Sequence, residues 1–81
     1  MIQIDLKFAG YFRKFIKEKK EYIKVSLENP SAVRDILMNF DIDFRKIKVK
    51  PIIIVNGHVY SLDYIVKDGD EVILMNMMSG G

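Results

Sequence analysis

The chain has 81 residues, no cysteine, no tryptophan and one histidine, and its formal net charge at pH 7 is +2. A chain of this length forms one domain with a small core. The composition excludes disulfides, iron–sulfur clusters and thiol nucleophiles, which need cysteine, and multi-histidine metal sites, which need several imidazoles. A charge this close to zero does not by itself indicate a polyanionic partner.

The first third of the chain predicts a hairpin. Residues 2–8 alternate apolar and polar side chains, as a half-buried strand does, and residues 22–27 alternate in the same way. Apolar residues at helical spacing between them predict a short helical turn over residues 11–17. Two strands so close in sequence are expected to pair antiparallel.

A helix is predicted after the second strand. Asn29 or Ser31 can cap its free N–H groups, and Pro30 suits the first turn because proline needs no N–H partner there. Residues 41–50 are mostly polar and are predicted to form a connection. Apolar residues at spacings of three, four and seven form a stripe that we expect to lie across the sheet, namely Val33, Ile36, Leu37 and Phe40.

The second half of the chain predicts three more strands. Residues 52–55 are apolar at every position, so this strand is expected to be covered on both faces, or covered on one and adhesive on the other. Asn56 and Gly57 predict a tight turn into a short return strand over residues 58–60. A second turn, at residues 68–70, leads into a last strand over residues 71–78.

The order strand, strand, helix, strand, short strand, strand predicts an α+β fold of the β-grasp (ubiquitin-like) type. We expect a mixed sheet with one main helix packed on one face, and the first and last strands side by side in parallel. The domain is predicted to span residues 1–76, followed by a flexible tail over residues 77–81 that ends in Gly-Gly. No apolar run approaches the ~20 residues of a membrane-spanning helix, and we expect a cytoplasmic protein.

The titratable side chains do not indicate a resident active site or a metal site. Asp68 and Asp70 are too few for a calcium loop, and turn formation through side-chain-to-backbone bonds explains them. Asp41 and Asp43 receive the same interpretation. His58 follows a turn, so it is expected to be an exposed, solvated side chain.

Basic residues concentrate in two segments, 13–24 and 45–50. Phe15 and Tyr22 lie within the first, and basic residues interleaved with aromatic ones also occur on nucleic-acid-binding surfaces. We keep a basic nucleic-acid-binding module as an alternative. We expect instead a solvated basic loop, or a patch that steers an acidic protein partner.

The last strand predicts a contact surface. If Val72 and Leu74 face the helix, the alternate side chains face the other side of the sheet, where a solvated strand should be polar. Apolar residues in that place indicate docking of a protein partner, unless residues 41–50 cover them. The predicted partner-binding residues are Ile54, Ile73, Met75, Met77 and Met78.

Three motifs occur in order: Val55-Asn56-Gly57, Asp68-Gly69-Asp70-Glu71-Val72 and the final Ser79-Gly80-Gly81. Together they resemble the ubiquitin-like sulfur carriers, most of all the small subunit of molybdopterin synthase and next the sulfur carrier of thiamine thiazole synthesis. The opening strand, with Phe8-Ala9 and a nearby arginine, is similar too. Molybdopterin-type carriers commonly have prolines before Ser-Gly-Gly, and here Met77 and Met78 take that place.

The resemblance implies a carrier protein and not a stand-alone enzyme. The reactive group would be the C-terminal carboxylate of Gly81, which an E1-like adenylating enzyme activates with ATP and a sulfur-donor protein converts to a thiocarboxylate. The slim tail formed by Ser79, Gly80 and Gly81 would then enter the large subunit of molybdopterin synthase, or an equivalent acceptor enzyme. The chain itself would bind no cofactor.

Three alternatives stay open beside a role in molybdopterin (molybdenum or tungsten cofactor) synthesis. The first is a thiamine-pathway sulfur carrier. The second is a ubiquitin-like modifier that is joined to lysines of other proteins through Gly81. The third is the nucleic-acid-binding module already mentioned.

Overall fold

The computed structural model describes residues 1–16 and 22–76. The elements of this part of the chain are, in order, β1 (Ile2–Phe8), a 3₁₀ helix (Gly10–Phe15), β2 (Ile23–Leu27), α1 (Val33–Met38), β3 (Pro51–Val55), β4 (His58–Tyr60) and β5 (Glu71–Asn76). The predicted helical turn after β1 is thus a 3₁₀ helix that begins at Gly10.

The strands form one mixed sheet in the order β2-β1-β5-β3-β4. β1 pairs antiparallel with β2 and parallel with β5, so that Leu6 lies opposite Ile23 on one side and Val72 on the other. β3 pairs antiparallel with both β5 and β4. The β-grasp prediction is confirmed, including the parallel pairing of the first and last strands.

The core lies between α1 and one face of the sheet, which we call the inner face. Alternate residues of β1 are buried there, and α1 buries Val33, Ile36 and Leu37, three of the four residues of the predicted stripe. The fourth, Phe40, lies just beyond α1, is half-buried and meets the ring of Phe8 edge-on at 5.4 Å. Full burial of one such side chain stabilises the fold by roughly 1.5–3 kcal/mol.

The connection between α1 and β3 adds to the same core. Ile42 is fully buried, and Phe44, Ile47 and Val49 pack against the core cluster. The ring of Phe44 lies 5.8 Å from that of Phe12, which anchors the 3₁₀ helix. Residues 41–50 therefore pack on the inner face and do not cover the opposite face of the sheet.

The predicted start of the helix is wrong. α1 begins at Val33 after the N-cap residue Ala32, which makes no side-chain capping bond, and the Ser31 hydroxyl instead donates to the Asn29 carbonyl at 3.1 Å. Carbonyls of the 62–66 segment replace the expected cap: Val33 N–H donates to Tyr64 O at 2.9 Å and Arg34 N–H to Leu62 O at 3.0 Å. Tertiary backbone contacts thus satisfy the free N–H groups that a side chain usually caps.

β5 is described from Glu71 to Asn76, which agrees with the predicted last strand over these residues. Met77, Met78 and the predicted tail lie outside the described residues, so their predicted roles stay predictions. None of the helices in residues 1–16 and 22–76 is long and apolar enough to cross a membrane.

Candidate functional site

An apolar surface covers the face of the sheet that points away from α1, here called the outer face. Ile54 pairs with Ile73, and Ile52 pairs with Met75, in the antiparallel β3–β5 ladder. All four side chains are half-buried, whereas the residues that alternate with them, such as Leu74, are buried on the inner face. The predicted orientation of Ile54, Ile73 and Met75 is therefore confirmed.

Val59 extends this surface and was not among the predicted contact residues. It lies opposite Ile54 in the β3–β4 hairpin, so the two side chains share a face, and Val59 is 73% exposed. The Asn56-Gly57 turn could have predicted that Val59 lies on this face, because a two-residue loop fixes which residues of the hairpin oppose each other. We define the outer-face patch as Ile52, Ile54, Val59, Ile73 and Met75.

Charged residues border the outer-face patch on the side of β1. Lys7 lies opposite Ile73, and Asp5 lies opposite Glu71 across the β1–β5 ladder and opposite Lys24 across the β1–β2 ladder. The outer face thus changes from apolar on β3, β4 and β5 to charged on β1 and β2. A partner that docks there meets a hydrophobic centre with a polar margin, the usual anatomy of a protein interface.

The Val-Asn-Gly and Asp-Gly-Asp motifs are joined through their side chains. Asn56 adopts a positive φ of 51°, and its side-chain amide donates to Asp70 Oδ1 at 2.9 Å while its Oδ1 accepts from Glu71 N–H at 3.0 Å. The β3–β4 turn is therefore fastened to the start of β5. This link holds the strand that leads to the tail in register.

Asp70 is 6% exposed and is surrounded by donors. Its Oδ2 accepts from Tyr64 Oη at 2.9 Å and from Lys67 N–H at 2.8 Å. Burial opposes ionisation of this carboxyl, but the hydrogen bonds from Lys67, Asn56 and Tyr64 together bring the pKa of Asp70 below its ordinary value. Burial, and then the bond to Asp70, raise the pKa of Tyr64. The Asp70 carboxylate thus has a structural role in its turn, as predicted, through its bond to the Lys67 N–H.

Asp68 differs from the expectation of a turn-local bond. Its Oδ1 accepts from Gln3 N–H at 2.8 Å, and Gly69 N–H donates to the Gln3 carbonyl at 2.8 Å. The turn is thereby attached to the beginning of β1. Its carboxylate serves a long-range structural contact, and no group of three or more potential metal ligands occurs in residues 1–16 and 22–76.

The end of β5 forms the base from which the predicted tail continues. Asn76 pairs with Pro51 of β3, and its Oδ1 accepts a hydrogen bond from Tyr11 N–H at 2.9 Å. Ala9 N–H donates to Leu74 O at 2.8 Å. The backbone that precedes residues 77–81 is therefore held on both sides, by β3 and by the 3₁₀ helix.

An open cleft of about 570 Å³ lies between α1 and the connection that follows it. Its two arginines are paired: Arg34 with Asp63 at 2.5 Å, and Arg45 with Asp43 at 3.0 Å. The Arg45 hydrogen bonds lower the pKa of Asp43 to about 2. Each arginine that lines the cleft thus has a carboxylate partner.

The predicted basic segment is only partly described. Arg13 and Lys14 are exposed on the 3₁₀ helix, and Lys14 Nζ lies 3.9 Å from the centre of the Tyr11 ring, a cation–π contact. Phe15 packs against the core and Tyr22 is 38% exposed. His58 is exposed, as predicted. Lys17, Lys19 and Lys20 lie outside the described residues.

Comparison with solved structures gives similarity over nearly the whole chain. A protein assigned as molybdopterin converting factor, subunit 1, from Pyrococcus furiosus is 21% identical, with a TM-score of 0.70 over 96% of this chain and 100% of that one. The HVO 2177 protein of Haloferax volcanii is 19% identical, with a TM-score of 0.74 over 99% of this chain and 87% of that one. SAMP1 of the same organism is 18% identical, with a TM-score of 0.71 over 98% and 99%. No curated protein matches by sequence.

At these identities the solved structures establish the fold alone, which is the β-grasp (ubiquitin-like) fold. The ThiS family model matches residues 7–81. The chain belongs to the ThiS family, a family of ubiquitin-like sulfur carriers. The predicted resemblance is thereby confirmed at the level of the family.

Proposed function

We propose that this protein carries sulfur as a thiocarboxylate on Gly81 and supplies it to molybdopterin synthesis. The observation that carries the proposal is the family match, which continues through the Ser-Gly-Gly sequence to residue 81. Asp70, a buried carboxylate of the described residues, is engaged in structural contacts. A carrier requires no more than a terminal carboxylate, because its partner enzymes provide the catalytic groups.

The proposed chemistry proceeds in two displacements, the first at the α-phosphorus of ATP and the second at the Gly81 carbonyl carbon. In the first, the carboxylate attacks the α-phosphorus of ATP on the adenylating enzyme, which gives an acyl-adenylate and releases pyrophosphate. In the second, a sulfur nucleophile attacks the carbonyl carbon and AMP leaves. When the nucleophile is a persulfide, a thiol then reduces the acyl disulfide, forming a disulfide with the donor sulfur and freeing the thiocarboxylate. The thiocarboxylate sulfur attacks an electrophilic carbon of the substrate held by the acceptor enzyme. Water then cleaves the resulting thioester at the Gly81 carbonyl, which leaves the sulfur on the substrate and regenerates the carboxylate.

The tail composition suits passage into an enclosed active site. Gly80 and Gly81 carry no Cβ, so the backbone next to the carboxylate is narrow and can adopt conformations that other residues cannot. Ser79 continues this slim profile. Met77 and Met78 are long, flexible side chains at its base, suited to contact with more than one partner.

The outer-face patch is the proposed docking surface for the partner enzymes. Its five apolar residues lie on β3, β4 and β5, and β5 leads directly to the tail. A partner that covers this patch is therefore placed to receive the tail as well. The expected partners are an E1-like adenylating enzyme, a sulfur-donor protein and a large molybdopterin synthase subunit or equivalent acceptor enzyme.

Molybdopterin synthesis is favoured over the thiamine pathway by one comparison. The Pyrococcus furiosus protein named as a molybdopterin converting factor subunit matches along its entire length. The thiamine pathway is the second candidate, because the family that matches is the ThiS family. Transfer from the loaded carrier to each type of acceptor enzyme separates the two.

The experiment that tests the carrier role measures activation at the tail. The cognate adenylating enzyme is mixed with ATP and the wild-type chain, Gly81→Ala, or a chain with one extra C-terminal residue, and ATP–pyrophosphate exchange is followed. We expect exchange with the wild type and none with the two tail variants, all three unfolding at the same temperature. Wild-type exchange rates in both tail variants would refute the proposal.

A further inference from the structure

We infer that Asn76 and Gly10 form a clamp that fixes the end of β5, so that Asn76 is a positioning residue for delivery of the tail. The inference rests on the proposed function, because it assigns a role in presenting the tail to partner enzymes. It concerns a contact of the described residues, in which the Asn76 side chain of β5 meets the first two residues of the 3₁₀ helix.

The clamp depends on a missing side chain at residue 10. Gly10 has a φ of +60°, and a Cβ placed on it would lie 2.1 Å from Asn76 Oδ1 and 3.3 Å from Asn76 Cγ. The Asn76 amide therefore occupies space that any other residue at position 10 would fill. In that space Asn76 Oδ1 accepts the hydrogen bond from Tyr11 N–H at 2.9 Å.

The partner surface of the clamp is firmly attached to the core. Phe12, which follows Tyr11, is fully buried, and its ring lies 5.8 Å from that of Phe44 and 6.2 Å from that of Phe15. The 3₁₀ helix therefore cannot shift without disturbing the core. Asn76 is therefore bonded to an element that is anchored in the core, as a positioning contact requires.

The main chain of Asn76 is held on its other side. It pairs with Pro51 in the β3–β5 ladder. A residue that occupies a fixed register position beside β3 and whose side chain accepts a hydrogen bond from the 3₁₀ helix is restricted in its orientation. A fixed attachment point lowers the entropic cost that a partner pays on binding the tail.

The test separates positioning from stability. Asn76→Ala removes the acceptor, Asn76→Asp keeps an acceptor oxygen at the same reach, and Asn76→Gln moves it by one methylene. Steady-state loading by the adenylating enzyme is measured for each variant at several carrier concentrations, beside thermal unfolding. For Asn76→Ala and Asn76→Gln we expect KM for the carrier to rise about fivefold, the size of one net hydrogen bond, with kcat unchanged. Asn76→Asp is expected to restore the wild-type KM.

Gly10→Ala provides the reciprocal test, because its Cβ displaces the Asn76 side chain. Combining Gly10→Ala with Asn76→Ala should raise KM no further than either single change, because both act on one contact. An unchanged KM for the carrier in Asn76→Ala would overturn the inference. So would a raised KM in Asn76→Asp equal to that of Asn76→Ala.

A second readout needs no partner enzyme and keeps this inference separate from the proposed function. Backbone ¹⁵N relaxation of residues 77–81 is compared between the wild type and Asn76→Ala. We expect residues 77 and 78 to become more mobile on the ps–ns timescale in Asn76→Ala and to regain the wild-type values in Asn76→Asp. Identical relaxation in wild type and Asn76→Ala would overturn the clamp, whereas absence of loading in the wild type would overturn the carrier function and leave this measurement intact.

Discussion

At the scale of single residues, Asp70 and Asn56 connect the two turn motifs of the chain. Local turn geometry would be a sufficient reason for an asparagine or an aspartate at either position. The Asn56 side-chain amide nevertheless donates to Asp70 at 2.9 Å, and its oxygen accepts from Glu71 N–H at 3.0 Å. Residues chosen for turn chemistry thus also form a long-range link. The sheet edge formed by the β3–β4 hairpin is held against β5 by this link.

Asp70→Asn should destabilise the protein by about 1–3 kcal/mol, because an amide NH₂ would face buried donors that now bind a carboxylate. Chemical denaturation at pH 7 measures the change. Asp63→Asn is the matched control, since Asp63 pairs with Arg34 on an exposed surface and should cost well under 1 kcal/mol. Equal stability of Asp70→Asn and the wild type would show that the network does not stabilise the fold.

The lowered pKa of Asp70 also predicts a pH dependence. A carboxyl whose pKa is lower in the folded than in the unfolded state adds stability above the unfolded value, about 3.9. That stability is lost as pH falls through the folded pKa. Unfolding curves from pH 6 downward should therefore show that the free-energy difference between wild type and Asp70→Asn shrinks below about pH 4. If the difference in unfolding free energy between wild type and Asp70→Asn stayed constant across this pH range, the pKa of Asp70 would not be lowered by folding.

At the scale of elements, the strands were predictable and the helix start was not. Alternation of apolar and polar residues gave β1, β2 and the face of β5 because side-chain direction in a strand follows directly from sequence position. Asn29, Pro30 and Ser31 form a good local capping sequence, but the free N–H groups of α1 are satisfied by carbonyls of residues 62 and 64. That contact joins segments about thirty residues apart, which local rules cannot foresee.

The short helix α1 depends on tertiary packing for its stability, because six residues are too few to be helical alone. Ile36→Ala should therefore cost about 2–5 kcal/mol, the usual cost of emptying a buried aliphatic site. Met38→Ala on the same helix is the control: Met38 is 42% exposed, and its loss should cost no more than about 0.5 kcal/mol. Urea denaturation compares the two. Similar costs for both variants would mean that α1 does not pack as described.

At the scale of the whole molecule, the sheet separates two roles. Its inner face supplies the core with α1, and its outer face presents the outer-face patch beside the strand that leads to the tail. Sequence periodicity predicted this division and three members of the patch. Val59 needed the hairpin register, and the Asn76–Gly10 contact needed the fold, because residues 10 and 76 are far apart in sequence.

Ile54→Glu should weaken binding to the adenylating enzyme and the acceptor enzyme at least tenfold, since it buries a charge in a hydrophobic interface. Ile65→Glu is the matched control, because Ile65 is 50% exposed and forms an isolated bridge with Ala32 beside α1, away from the patch. Isothermal titration calorimetry measures both. If the two variants bind equally well, the partners dock elsewhere.

The central claim is that sulfur is carried on the carboxylate of Gly81, and intact mass spectrometry tests it most directly. The chain is incubated with its adenylating enzyme, ATP and a sulfur source, and the mass of the free protein is compared with that of an incubation without ATP. We predict an ATP-dependent mass gain equal to the replacement of one oxygen by sulfur, located at Gly81 by fragmentation. An unchanged mass, or conversion into conjugates with lysines of other proteins in place of the free thiocarboxylate, would contradict it.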